Sequence, residues 1–278
     1  MNRPLKQGEL SQKKGTLLAS AGGHELLYGR RAALETLRAG RRRFYHLYLA
    51  QGIRYTGIVA EIVEAARARA CPVTEVPRQE LGVVGPVNHQ GVVVEAGPYP
   101  YLTLDELLSP RRTEPPLLLV LDHVQDVQNV GTLLRTAEAM AVTGVILPDR
   151  RAAGITPAVV NASAGAVEHL AIALVGNLVQ ALRRLQDDGV WVVGLDAGPG
   201  AVPLERAELG GPLALVVGAE GSGLSRLVRE RCDWLLAIPM HGRVASLNAA
   251  VAGSVALVAA RQARAGAHEI SGRSGPEI

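Results

Sequence analysis

The 278-residue chain is poor in cysteine and in lysine, and each shortage narrows the reading. Its two cysteines, Cys71 and Cys232, stand far apart and fit neither a disulfide framework nor a metal-ligand spacing. A reducing compartment is therefore expected, and a zinc site or other metal is not. No apolar run is long enough to cross a bilayer, since the most apolar stretch, about 245–260, is broken by Asn248 and two serines. No charged-then-apolar leader opens the sequence either, so the expectation is a cytoplasmic protein with no membrane partner. Lysine occurs only at Lys6, Lys13 and Lys14, and every other fixed cation is arginine. With a pI near 9.1 at a net charge of only +3, this leans toward a polyanionic partner, although codon bias accounts for the arginines more readily.

What remains is enough to bury a sizeable core, at 48% hydrophobic and 20% charged residues. Residues 1–25 lack periodicity and are rich in Gly, Ser and Lys, which predicts a disordered arm. Periodicity then predicts a small α/β domain over 26–96, with helices at 30–38 and 56–68 and strands at 44–50, 72–76 and 91–96. A proline-rich stretch, 97–115, reads as a linker. From 116 to 265 near-continuous apolar strands alternate with helices, the pattern of a mainly parallel sheet covered on both faces, and 266–278 reads as a frayed tail. Ligands of such sheets bind beyond the carboxyl ends of the strands.

Three polar clusters fall just past predicted strands. The first, Asp122 to Ala137, contains Asn129 at a predicted helix N-cap and Arg135 about one and a half turns on. On local sequence alone, a capping asparagine and a solvated arginine account for both. The second, Val216 to Leu224, sets Gly218, Gly221 and Gly223 around the lone carboxylate of Glu220. Its G-x-x-G-x-G spacing matches neither the dinucleotide fingerprint nor a P-loop. A tight turn would explain the glycines, but a carboxylate there is costly to bury unless it caps amides or meets a cation. The third, Ile238 to Leu257, places Ser246 and Asn248 at the mouth of a helix rich in Ala, Gly and Ser.

In order, N-x-x-x-x-x-R, G-A-E-G-x-G-L and I-P-M-x-G-x-x-x-S-L-N resemble the three motifs of the SpoU/TrmH family of RNA ribose methyltransferases, over about 117–262. Tyr28-Gly29-Arg-Arg-Ala-Ala and His89-Gln90-Gly91 make the amino-terminal part similar to the substrate-binding domain of bacterial enzymes that methylate a guanosine of large-subunit ribosomal RNA. The resemblance implies an α/β SPOUT domain with a parallel sheet and a deep trefoil knot, beside the small substrate-binding domain. It implies S-adenosylmethionine as cofactor, RNA as partner and a homodimer. Leu195, Gly218, Gly221, Ile238 and Leu247 then match cofactor contacts, and Asn129, Arg135, Glu220, Ser246 and Asn248 match the polar catalytic set.

Methyl transfer from a sulfonium to a ribose hydroxyl is an in-line displacement that gains from alignment and from stabilisation of the nascent oxyanion. A guanidinium is a poor base, with a pKa above about 12, so Arg135 is expected to stabilise charge, with Asn129 and Ser246 orienting the ribose. Arg30, Arg31, Arg41, Arg42 and Arg43 are the candidate RNA contacts of the small domain, with Phe44 and Tyr45 available for stacking. A solvated charge run leading into a core strand explains the Arg41–Arg43 run equally. Transfer RNA, an antibiotic-resistance site in ribosomal RNA, and a non-catalytic RNA-binding role in ribosome assembly remain the rival readings.

Overall fold

The strands form where β-branched and leucine residues run without interruption. Leu117–Asp122 (β5) and Leu213–Gly218 (β10) are buried at every position, as strands covered on both faces must be. The structure is a computed structural model describing residues 23–109 and 114–271. It divides into two units, with the boundary between Pro100 and Tyr101.

The first unit contains β1 (Glu25–Tyr28), α1 (Arg30–Ala39), β2 (Phe44–Ala50), α2 (Ile58–Ala68), β3 (Val73–Val76) and β4 (Val92–Ala96). Its sheet has the order β1-β4-β2-β3, with β2 and β3 parallel and the other pairs antiparallel. Helix α2 buries Val59, Ile62, Val63 and Ala66, a single stripe at helical spacing. The arm expected over 1–25 is corrected at its end, because Glu25 opens β1 and pairs with Ala96. The rest of that expectation, 1–22, lies outside the described residues.

The second unit begins inside the predicted linker. There α3 (Leu104–Leu108) is closed by a capping box: Thr103 accepts from the Glu106 N–H, and the Glu106 carboxylate accepts from the Thr103 N–H. The 97–115 segment is thus partly a folded element, with Leu107 buried in the core of this unit. After β5 come α4 (Val127–Ala139), β6 (Gly144–Pro148), α5 (Pro157–Ala162), β7 (Ile172–Val175), α6 (Leu178–Asp187), β8 (Trp191–Leu195) and β9 (Val202–Pro203). Then follow β10, α7 (Arg226–Arg231), β11 (Trp234–Ala237) and α8 (Ala249–Ser271). The helical span of α8 continues past 265, where a frayed tail was expected, and 272–278 lie outside the described residues.

All pairs in the seven-stranded sheet, β7-β6-β5-β10-β8-β11-β9, are parallel. Period-two alternation sorts the strands' side chains between the two faces. Leu118, Val120, Val192, Ala214 and Val216 pack with Leu178, Ala181, Leu182 and Leu185 of α6. On the opposite face α8 comes so close that a side chain at Gly253 would strike Leu133 and Val217. At the amino end of the sheet, buried Arg264 of α8 donates to the carbonyls of Pro115 (2.8 Å), Pro116 (3.1 Å) and Gly211. Burial, and secondarily Arg261, lower its pKa, and three carbonyl dipoles compensate its charge.

Candidate active site

Strands β10, β8 and β11 are parallel neighbours, so their carboxyl ends open along one edge. The loops beyond them enclose a cavity of about 700 Å³ lined by Leu195, Gly218, Gly221, Ile238 and Leu247, together with Glu220, Ser246 and Asn248. The structure thus brings all five expected cofactor residues and three of the five polar residues to one recess, of a size typical for small ligands. Ile238 is the first residue of the loop after β11.

The wall beside Glu220 is almost pure backbone. Ala219 and Gly223 exchange N–H to O=C bonds of 3.1 and 2.9 Å, folding the loop back on itself. A Cβ at Gly218 would fall on the carbonyl group of Gly223, so only glycine permits this closure. Beneath the recess, a Cβ at Gly194 would meet the Cys232 sulfur. Burial, then Asp233, Asp122 and Asp196, push that thiol to about 12, which removes it as a nucleophile.

Asn129 is not the helix cap. Asp126 is, accepting from the Asn129 N–H at 2.8 Å, and Asn129 lies within the first turn of α4 with only 7% of its surface exposed. Its carboxamide is thereby freed for a tertiary role. Nδ2 donates to Glu220 Oε2 at 2.9 Å, while Oδ1 accepts from Asn248 Nδ2 at 2.9 Å. Asn248 in turn caps α8, its Oδ1 accepting from the N–H groups of Ala250 and Val251. One relay therefore ties the loop after β10 to the starts of α4 and α8, and fixes the orientation of both amides.

Arg135 stands apart. It is exposed on α4, outside the cavity lining, and no hydrogen bond or ion pair among the described residues involves it. Its neighbour Thr136 bonds Ser254 of α8 at 2.9 Å, so Arg135 lies next in sequence to a residue of the α4–α8 contact.

Residues 116–258 match the SpoU rRNA Methylase family, and residues 26–102 match the RNA 2′-O ribose methyltransferase substrate-binding family. The chain belongs to the SpoU rRNA methylase family. This SpoU-type RNA methyltransferase is 41% identical over 243 residues to the 23S rRNA (guanosine-2′-O-)-methyltransferase RlmB of Pseudomonas syringae, covering 86% of this chain and 96% of that one. It is 39% identical over 234 residues to the putative TrmH family tRNA/rRNA methyltransferase YacO of Bacillus subtilis, covering 84% and 93%. The SpoU methyltransferase AviRb of Streptomyces viridochromogenes, solved with the cofactor AdoMet, superposes with a TM-score of 0.73 at 25% identity, covering 88% and 92%.

In the substrate-binding unit the expected RNA-contacting arginines divide. Arg42 is buried and ion-paired with Glu25 (2.5 Å), and it also donates to the Gly97 carbonyl at 3.1 Å, so it holds the sheet edge rather than facing solvent. This corrects its assignment as an RNA contact. Arg41 donates to the Tyr99 hydroxyl at 3.1 Å, and Arg43 lies over the Tyr45 ring, which itself stacks on His24. Arg30 donates to the Gln90 carbonyl, and Arg31 is exposed on α1. Sequence reasoning missed Asp122 and Asp126, whose carboxylates accept from the N–H groups of Ser225 and Asn129. Only the Asp126-x-x-Asn129 spacing could have pointed to one of them.

Proposed function

We propose that this chain transfers the methyl group of S-adenosylmethionine to a ribose 2′-hydroxyl of large-subunit ribosomal RNA, at a guanosine, and works as a cytoplasmic homodimer. The observation that carries the reading is the single recess beyond β8, β10 and β11, joined to the Glu220–Asn129–Asn248 relay. The recess fits the cofactor. Its lining has two carboxylates, Asp196 and Glu220, and no cationic side chain, while Leu195, Ile238 and Leu247 offer apolar contact. That suits a sulfonium-bearing nucleoside. When bound, S-adenosylmethionine supplies an electrophilic methyl group.

The protein's part is alignment and charge. Asn129 and Asn248 are held by their mutual bond, and the Ser246 hydroxyl at the rim orients the ribose. Glu220 Oε2 is engaged by Asn129, which leaves Oε1 to accept from the reacting hydroxyl. A guanidinium next to the nascent oxyanion stabilises it without acting as a base.

Arg135 does not line its own chain's recess, and this supports the dimer. Beside it, α8 exposes Val251, Val255 and Val258 at helical spacing, an apolar stripe that a second copy would cover while bringing its own guanidinium. The reading also includes the deep trefoil knot, in keeping with β10 lying between β5 and β8 and being followed by β11 and α8. Guanosine and large-subunit RNA rest on the similarity to RlmB over 96% of that enzyme's length.

Mapping 2′-O-methyl groups in ribosomal and transfer RNA from cells with and without the protein tests this. One ribosomal guanosine losing its methyl group is the expected result. Loss at a transfer RNA position would overturn the substrate, and no loss anywhere would overturn the activity.

A further inference from the structure

We propose that a second recess on the same sheet edge is an RNA cradle, holding the phosphates that flank the modified nucleotide. The inference rests on the RNA methyltransferase reading and adds the place where the catalytic unit itself grips its substrate.

The recess, about 560 Å³, opens beyond β5, β6 and β7, on the other half of the carboxyl edge. Its wall carries three exposed guanidinia, Arg150 and Arg151 after β6 and Arg226 at the start of α7, against one carboxylate, Asp149. Arg150 and Arg151 have no side-chain hydrogen bond or ion pair among the described residues. Arg226 pairs only with Glu230, at 2.8 Å with both side chains more than half exposed, a pairing that water and salt weaken. Exposed guanidinia gathered in a concave wall suit phosphate oxygens. The His123 ring adds a surface on which a base can stack, and the exposed Leu227 adds an apolar contact.

Two further observations indicate a built site. His123 and Arg151 adopt left-handed backbone with φ of 59° and 57°, a conformation that costs non-glycine residues energy and collects at functional positions. The turn bearing Arg151 is pinned to the β5–α4 loop by Ala153 N–H to Val124 O (3.1 Å) and by Gln125 Nε2 to Arg151 O (3.4 Å). That same loop leads from His123 into the helix turn that carries Asn129. A strand held in the cradle is thus mechanically connected to the groups that orient the ribose.

The test uses full-length protein with Arg150→Gln, Arg151→Gln and Arg226→Gln combined, and a ribosomal RNA fragment that the unaltered protein methylates. Fluorescence anisotropy should show RNA binding weakened about 10- to 100-fold, with the slope of log affinity against log salt shallower by about 2. KM for RNA should rise while kcat at saturating RNA stays within about twofold, as loss of uniform binding requires. Calorimetric affinity for S-adenosylmethionine should not change. The corresponding lysine variants should restore most of the salt slope. A control outside the recess, Arg183→Gln with Arg184→Gln on α6, should leave all these values near the unaltered ones. If the unaltered protein methylates the fragment and the cradle triple matches it in affinity, slope and KM, the cradle is wrong and the activity stands. That result would hand the recess to a protein partner or to none. If the unaltered protein neither binds nor methylates RNA, the activity fails, and the cradle with it.

Discussion

The two halves of one sheet edge differ in the sign of the charge they present and in what builds their walls. Past β8, β10 and β11 the lining is glycine backbone, aliphatic side chains and two carboxylates. Past β5, β6 and β7 it is arginine side chains over a strained turn. The first wall, closed at Gly218 by the Gly223 carbonyl and bearing carboxylates, favours a small cation, whereas the second, lined by exposed guanidinia, favours a polyanion. A bisubstrate enzyme with such an edge keeps its two ligands apart by electrostatics before either is oriented, and the Asn129 relay lies where the halves join.

The sharpest break in that division would come from Arg135, the cation that belongs to neither recess. Arg135→Ala should lower kcat by about 10³ or more and leave cofactor affinity and thermal stability unchanged, because the side chain is exposed and makes no internal bond. Mixing this variant with Asn129→Ala should regain activity in mixed dimers if the guanidinium serves the partner's recess, and should regain none if it serves its own. Next in size, Gly218→Ala should weaken S-adenosylmethionine about 100-fold by forcing the Gly223 carbonyl aside, with RNA affinity unaffected. Equal losses for both ligands would erase the distinction between the halves.

Arg264→Met removes the donor to three carbonyls at the opposite end of the sheet, far from either recess. It should cost about 2 kcal/mol, or a melting temperature lower by about 6 °C, without changing the ratio of the two ligand affinities. A separate effect, confined to alkaline pH, concerns the thiols. Burial, then Glu95, raises Cys71 to about 11, and Cys232 stands at about 12, both from an ordinary 9.0. Folding therefore favours the protonated thiols. Their contribution to stability is intact below pH 9 and is lost as pH rises toward 11 and 12, which urea midpoints at pH 8 and pH 10.5 would register. Alkylation of Cys232 at pH 8 should be slow, and faster only if the floor under β8 opens.

Much of the cofactor half was legible because its signals are local: uninterrupted apolar strands, then glycines and small polar residues just past their ends. The cationic half was not, since Arg150, Arg151 and Arg226 are separated by some 75 positions and converge only through the sheet. Asn129 was misread as a cap because Asp126, three residues earlier, satisfies the same chemistry, and only burial against the loop after β10 decides between them. The linker was a failure of weighting. Its prolines masked Thr103-x-x-Glu106, a helix start plainly written in the chain. Arg42 was grouped with its neighbours as a phosphate contact because Glu25, its ion-pair partner, lies 17 positions earlier, in a strand too short to announce itself.

The clamp of Arg264 on the carbonyls before β5 and β10 carries a temporal consequence. The guanidinium follows the Pro115 and Pro116 carbonyls by 149 and 148 positions, so the latch on the first strand of the large sheet forms only after α8 has been made. A nascent chain interrupted before α8 would leave the sheet unlatched at that end and Val217 and Leu133 without the helix that packs on them, so the large unit closes only once α8 is present.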